Sequence, residues 1–506
     1  MTVIGPRAPS ALPLAAEPLR ARPFERVPFV VLALGLVVLT SVVFAEESSA
    51  AVRVWNTSTA YNHCWLIAPI AAWLAWQRRD RLTAIRPAPD PWLALLAIPP
   101  ALAWLAAERL GIMEGRQLTA WAMIQVFVLA VLGWRLAAAF AGPLAYTIFL
   151  VPFGGFTVPA LQHVTARVID LGLDLWGITH YVDGLLIETT AGVFHVAEAC
   201  AGLRFTIAAL AFGALYALTM FRSPLRRLLV MLLAVLVPIL ANGVRALGIV
   251  VAAEYVGSAE AAAADHVIYG WGFFSAIILL MILAGLPFRE DRADHPRTLW
   301  WRRLAGPAPA TSVRAAVAAA VAGLGLASTG PAAAALLSAD VRPRDVPPWL
   351  AAGPCEPEGA ALLCGGLRAE ARLLLFPSAV TWNEVAAARR RFARENDTDL
   401  TFAVPTGAGG PWRVRVQAGE GRIIATASFL DGRAVGDGLA SRLAQARVSL
   451  GLGTGRPVVA AVEVQAPAGA AETVAGPRAR ALVEGLLAAQ GEGLVAQAAA
   501  LSRGRE

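Results

Sequence analysis

Over its first two thirds the chain alternates long apolar runs with short polar segments that carry arginines. Runs at residues 27–45, 60–76, 91–107, 118–134, 136–152, 201–221, 228–253, 267–286 and 314–337 predict nine membrane-crossing helices. About 20 apolar residues wound as a helix cross a hydrocarbon layer roughly 30 Å thick. The second run is short, so the total is eight or nine. The first run follows 26 leader residues and ends in Val43-Phe44-Ala45, which resembles a signal-peptidase site. So long a leader points instead to an uncleaved anchor. Residues 153–199 form a long loop rich in Gly, Pro, Asp and aromatics, with a semi-apolar stretch at 160–178 that dips into the interface.

After the ninth run comes a Pro-rich linker, Val341 to Trp349, and the period changes. Alternation predicts strands at 368–376, 399–404, 411–417, 422–430 and 457–465, and helices at 380–395, 434–447 and 476–490. The expected fold is an all-α polytopic membrane bundle, about eight core transmembrane helices plus a ninth, followed by a small soluble α+β domain. It divides the chain into a cytoplasmic tail (1–26), a transmembrane domain (27–288), a cytoplasmic loop (289–313), an additional helix (314–337) and an extracytoplasmic domain (338–506).

Composition narrows the chemistry. The chain is 57% hydrophobic and 16% charged, with mean hydropathy +0.59, where a soluble protein carries about 25% charged residues. All 43 basic residues are arginine. Without lysine there is no phosphate-loop motif, no Schiff-base enzyme and no Ser/Lys dyad. The net charge of +7 marks cytoplasmic loops rather than a nucleic-acid surface. With a cytoplasmic N-terminus, 17 arginines (7, 20, 22, 26, 78, 79, 81, 86, 135, 222, 226, 227, 289, 292, 297, 302 and 303) lie inside and four (53, 109, 116 and 167) outside before the ninth run. That asymmetry sets the orientation, and it places the loop 153–199 and the C-terminal domain outside. Four cysteines are too few for a disulfide scaffold. Cys355 and Cys364, in the oxidising compartment, are candidates for one disulfide.

Three positions stand out among the Ser- and Thr-bearing spans. Cys200 lies in His195-Val-Ala-Glu-Ala-Cys-Ala-Gly-Leu-Arg204, Arg245 in Ala241-Asn-Gly-Val-Arg-Ala-Leu-Gly248, and His266 in Asp265-His-Val-Ile-Tyr-Gly-Trp271. Alternating span direction puts all three near one membrane face. Each also has a plain structural explanation. A cysteine at a helix start is usually a small buried hydrophobe, an arginine near a span end snorkels or pairs with a carboxylate such as Glu254 or Glu198, and an interfacial histidine is a polar anchor. Together they suit thiol chemistry. Cys200 would begin a helix, with Arg204 one turn on, so that helix terminus and cation favour the thiolate. His266 would serve as base and acid, and Arg245 would donate to an oxyanion. Asn242, three residues before Arg245, would hold its guanidinium. His195-x-x-Glu198 lacks the second histidine of a zinc protease, and neither a metal nor a cofactor is expected.

At these residues the sequence resembles the exosortases, bacterial membrane cysteine transpeptidases related to archaeosortases, over about residues 27–288. The family pattern E-A-C-[SA]-G-[LI]-[RK], A-N-x-x-R and H-x-x-x-G-W reads here as Glu198–Arg204, Ala241–Arg245 and His266–Trp271. The resemblance implies an inner-membrane enzyme with Cys200, Arg245 and His266 as catalytic residues and Glu198, Arg204 and Asn242 supporting. Its partners would be membrane lipids and secreted proteins ending in a Pro-Glu-Pro signal, an apolar helix and an Arg cluster. Cleavage would pass through a thioester, linked with exopolysaccharide or surface display. The tail beyond the ninth run occupies the place of an accessory domain fused in some exosortases. The competing readings are a transporter or exopolysaccharide-assembly membrane protein with Arg245 as an anion site, and a membrane anchor presenting the tail.

Overall fold

The computed structural model describes residues 27–256, 266–291, 301–305, 312–338, 342–348, 355–359, 361–364, 367–392, 400–406, 410–417, 422–465 and 477–504. Its helices are α1 (Val27–Val38), α2 (Ala45–Thr57), α3 (Cys64–Trp76), α4 (Ile98–Leu110), α5 (Met113–Leu132), α6 (Val158–Trp176), α7 (Leu203–Met220), α8 (Pro224–Val256), α9 (His266–Gly285), α10 (Val313–Leu337), α11 (Trp382–Phe392), α12 (Leu439–Ser449) and α13 (Pro477–Ser502). Shorter helical turns join them.

Among the described residues, five helices are long and apolar enough to cross a membrane, or seven if each of two bent pairs is one span. The chain is a multi-pass membrane protein; against the eight or nine spans expected, the described residues give five to seven by length and composition, with shorter apolar helices at Cys64–Trp76 and Gly272–Phe288. The first run continues past α1 as a π turn to Val43 and then bends by 82° into α2. Glu46 and Glu47 open α2, and their charge belongs at the polar edge rather than in hydrocarbon. The second run yields a 13-residue helix containing Pro69. The fifth run is no single helix: it breaks into Trp134–Ala139, Ala141–Tyr146 and a 3-10 turn, Thr147–Leu150. The expected loop 153–199 holds the 19-residue α6 and a three-stranded antiparallel sheet of β1 (His180–Asp183), β2 (Leu186–Thr189) and β3 (Gly192–His195).

Two local signals act as written. Asp90 caps the 3-10 turn leading into α4, its carboxylate accepting from Trp92 N at 3.0 Å. Gly111 ends α4 in the left-handed region at φ +66°. The small residues of α10 decide its place. Gly323 abuts Phe127 and Gly330 abuts Trp104, while Gly35 of α1 meets the same Phe127 ring. Each missing Cβ lets backbone and ring approach closely. A helix outside the 27–288 division by sequence thus packs in the core formed by α1, α4 and α5.

Beyond α10 the strands are β4 (Arg344–Val346), β5 (Glu356–Glu358), β6 (Ala361–Cys364), β7 (Leu367–Leu375), β8 (Leu400–Thr406), β9 (Gly410–Gln417), β10 (Arg422–Leu430), β11 (Arg433–Val435) and β12 (Val458–Gln465). They form one antiparallel sheet in the order β5-β6-β7-β12-β10-β9-β8, with β11 beside β10 and β4 beside β7. One sheet face packs on α13 through Leu373, Val414, Phe429, Val462 and Leu487. The other meets α11 through Phe376, Val385 and Val459. Thr381 and Glu384 make a capping box at the start of α11, bonding reciprocally at 2.8 and 3.4 Å.

This domain docks on the turn between α4 and α5. Asn383 Nδ2 and Arg442 donate to Gly111 O at 3.0 and 3.3 Å. Arg109, fully buried, pairs with Glu108 at 2.5 Å and donates to Ala379 O (2.8 Å) and Ser338 Oγ (3.0 Å). Arg109→Ala removes both charge-assisted bonds across the junction, and we expect a docking loss of about 3 kcal/mol. Faster deuterium uptake in residues 376–392 would register it; unchanged uptake would show that the junction holds without Arg109.

Candidate functional site

The site begins where β3 ends. Val196 O accepts from Gln162 Nε2 of α6 at 2.8 Å, tying the strand's exit to that helix. A 3-10 turn, Glu198–Cys200, follows. Cys200 therefore does not begin a helix as expected. It ends the turn, and α7 starts only at Leu203, after Gly202 adopts φ +77°. The reversal at Gly202 stops the turn from continuing into the helix.

Asn242 of α8 holds this segment. Its Nδ2 donates to Cys200 O at 2.8 Å and to Thr165 Oγ1 of α6 at 3.2 Å. The expectation that Asn242 holds the Arg245 guanidinium is corrected. Its short amide reaches the Cys200 backbone because Gly202 carries no Cβ, and one built there would lie 2.5 Å from Asn242 Cγ. Helices α6 and α8 approach closely at two further glycines, Gly172 against Leu247 and Gly243 against Val168. Cys200, half-buried, packs on the resulting cluster beside Val196, Leu247 and Val250. Cys64, the other free thiol among the described residues, is buried and donates its Sγ to Phe149 O at 3.2 Å.

Arg245 lies one turn beyond Asn242 and is 2% exposed. Its guanidinium carbon sits 5.5 Å from the Phe205 ring centroid, and that of Arg204 sits 4.9 Å from the same ring. Phe205 in turn contacts Phe274 of α9, with centroids 4.7 Å apart. A further neighbour of Arg245 is Gly270, whose absent Cβ would come 3.3 Å from Nη1 and 3.9 Å from Phe205 Cζ. Gly270 is one helical turn after His266, so the two share a face of α9. Helix α9 opens at His266, whose side chain lies outside the described residues.

The structure thus ties Cys200 to Asn242, sets Arg204 and Arg245 against Phe205, and brings the helix that carries His266 against Arg245. Glu198 is exposed; its backbone carbonyl accepts from Ala201 N at 3.1 Å, and among the described residues its carboxylate makes no hydrogen bond or ion pair. Glu254 accepts from Thr190 Oγ1 (2.5 Å) and Ala191 N (3.0 Å), pinning the β2–β3 turn to α8. Sequence reasoning missed Thr165, Gln162 and Phe205. Gly202 and Gly270 stood inside the motifs, unassigned. Cys355 is disulfide-bonded, and the Cys364 side chain lies outside the described residues.

Gly202→Ala forces an alanine into the left-handed region, at about 1–2 kcal/mol, and drives its methyl into Asn242. Gly177, at φ +67° with nothing within 4 Å, is the control. Thermal unfolding in detergent should show the Gly202 variant losing clearly more stability than Gly177→Ala; equal losses would deny the Asn242 contact.

The sheet beside Cys200 carries a titrating latch. Both nitrogens of His180 face acceptors, Ile178 O at 2.8 Å and Asp170 Oδ1 at 3.1 Å. The Ile178 carbonyl first, then the Asp170 carboxylate, holds the imidazole above its ordinary range. The latch is complete below an unfolded-state value of about 6.5 and is lost as pH rises through the raised folded value. Unfolding temperature should fall from pH 6 to 9 more steeply in the wild type than in His180→Gln; parallel profiles would remove the latch.

Residues 55–283 match the family model described as transmembrane exosortase. No curated protein and no solved structure matches the chain. The matched segment contains all three motifs and every contact around Phe205 described above, so over residues 55–283 the chain is similar to the transmembrane exosortases.

Proposed function

We propose that the protein is a membrane cysteine protease/transpeptidase that cleaves C-terminal sorting signals of the Pro-Glu-Pro type from secreted proteins. The observation that carries this reading is the convergence of the three motifs, Cys200 tied to Asn242 and Arg245 seated against the helix of His266. Arg204 and Arg245 favour the thiolate of Cys200. The thiolate attacks the scissile carbonyl carbon, and Arg245 donates to the oxyanion that forms. His266 protonates the leaving amine as the C–N bond breaks, leaving an acyl thioester on Cys200. An acceptor amine or water then gives a proton to His266, attacks the acyl carbon and expels the thiolate.

The arginine asymmetry supports an inner-membrane protein with its N-terminus in the cytoplasm, and its active site and residues 338–506 on the periplasmic face. A disulfide at Cys355 agrees with an oxidising compartment, and Cys364 is its proposed partner. Exopolysaccharide or surface display is the proposed setting.

The test is a tagged secreted reporter ending in a Pro-Glu-Pro, apolar-helix, Arg-cluster tail. Co-expression should yield a shortened reporter and a hydroxylamine-sensitive adduct on Cys200, both read by mass spectrometry. An uncut reporter with no adduct overturns the reading for this signal.

A further inference from the structure

The C-terminal domain holds a cavity of about 420 Å³ between the β8–β11 end of the sheet and α11. Its volume falls in the range of small-molecule sites, roughly 300–1,000 Å³, and it lies far along the chain from the cysteine motif.

Strand register settles which side chains face it. Ala403 of β8 lies opposite Arg413 of β9, and Arg413 lies opposite Thr426 of β10. Directly opposite residues share a sheet face, as do residues two apart on one strand. Thr401, Arg413, Thr426 and Ser428 therefore stand on one face, and α11 adds Arg389 to the cavity wall. Ser428 is 4% exposed, and its Oγ is buried without a hydrogen-bond partner among the described residues. A buried hydroxyl left unpaired is costly, and this one faces the cavity.

Charge defines the occupant. Arg389 and Arg413 both bond Asp437, the latter at 3.3 Å. Two guanidinium groups share one carboxylate, so one positive charge is left over at the rim. Among the described residues no other charged side chain lines the cavity. One surplus cation matches a monoanion, and guanidinium N–H groups suit a carboxylate. The hydroxyls of Thr401, Thr426 and Ser428 suit a polar, hydroxyl-bearing body over an apolar one.

We propose that this cavity binds a small hydroxylated monocarboxylate, with Arg413 on the carboxylate and Ser428 on a hydroxyl group. It gives the C-terminal domain a ligand-binding role that stands whether or not Cys200 is catalytic.

The probes are gluconate, sorbitol (hydroxyls without the charge) and inorganic phosphate (charge without the hydroxylated body), titrated calorimetrically into the full-length protein in nanodiscs. Gluconate should bind, with affinity falling about ten-fold or more in Arg413→Gln and about five-fold in Ser428→Ala. Ser428→Ala removes one buried hydroxyl, so its fold is expected to survive even where the arginine variant's does not. Sorbitol binding as tightly as gluconate would overturn the carboxylate assignment. Phosphate binding as tightly would reduce the cavity to a cationic patch. Absence of gluconate binding, or an unchanged affinity in Ser428→Ala, would overturn the site.

Discussion

Replacing Cys200 by alanine should leave a Pro-Glu-Pro-tailed reporter uncut, a loss of at least about 10³-fold, because no other group in the site replaces a covalent nucleophile. Insertion and fold should be unchanged. Cys200 is half-buried at the end of a short turn, and its anchoring bond to Asn242 uses the backbone carbonyl, which alanine retains. The variant thus separates chemistry from architecture. A reporter pulse-chase beside the wild type, with equal membrane levels of both, makes the measurement. Residual cutting within ten-fold of wild type would move the nucleophile elsewhere. Cys64 is a poor substitute, since it is buried and its thiol is bonded to Phe149 O.

Arg245→Lys should cost about 10²–10³-fold in processing rate, the scale of losing one oxyanion donor. The charge survives this change, so the loss isolates geometry. A planar guanidinium lies over Phe205 while presenting N–H groups in a fixed fork, and an ammonium offers neither the stack nor the fork. The slot is narrow as well. The Phe205 ring centroid lies 5.5 Å from the guanidinium carbon, and a Cβ at Gly270 would come 3.3 Å from the same guanidinium. Arg245→Lys retaining near-wild-type turnover would show that a point charge suffices. Turnover that tolerates loss of Cys200 but not of Arg245 would favour an anion site of the transporter kind.

The C-terminal domain was legible almost element by element. Strand β7 alternates buried with more exposed positions, whereas β10 and β12 are buried almost throughout and read as short continuous apolar runs; both patterns are local properties that a strand carries alone. The expected strand at 422–430 is β10 residue for residue, and 411–417 lies within β9. The very short strands β4, β5, β6 and β11 escaped, being too brief to show a period.

The membrane half was legible by composition and less so by shape. A hydropathy window sums apolar character without sensing continuity, so it read 136–152 as one helix where the chain breaks twice. The same window passed over α6. That helix carries Arg167, Asp170 and Asp174 on its more exposed side, while Gln162, Thr165, Ala166, Ile169 and Leu173 lie buried, the last three among residues of α8. Amphipathic character of this sort registers as a loop when only the mean is taken.

The sequence by itself determined that this is a multi-pass membrane protein with a sheet-rich C-terminal region, and it singled out Cys200, Arg245 and His266 as the positions to examine. Those features follow from residue type and local spacing. Tertiary structure decided the rest: that Asn242 anchors Cys200 rather than Arg245, that Phe205 and Gly270 are the neighbours of the guanidinium, and that α10 sits in the core. Each depends on a glycine at a helix crossing or an amide reaching another segment. Such contacts join residues tens to hundreds of positions apart, and no periodicity along the chain encodes which partner a missing Cβ will admit.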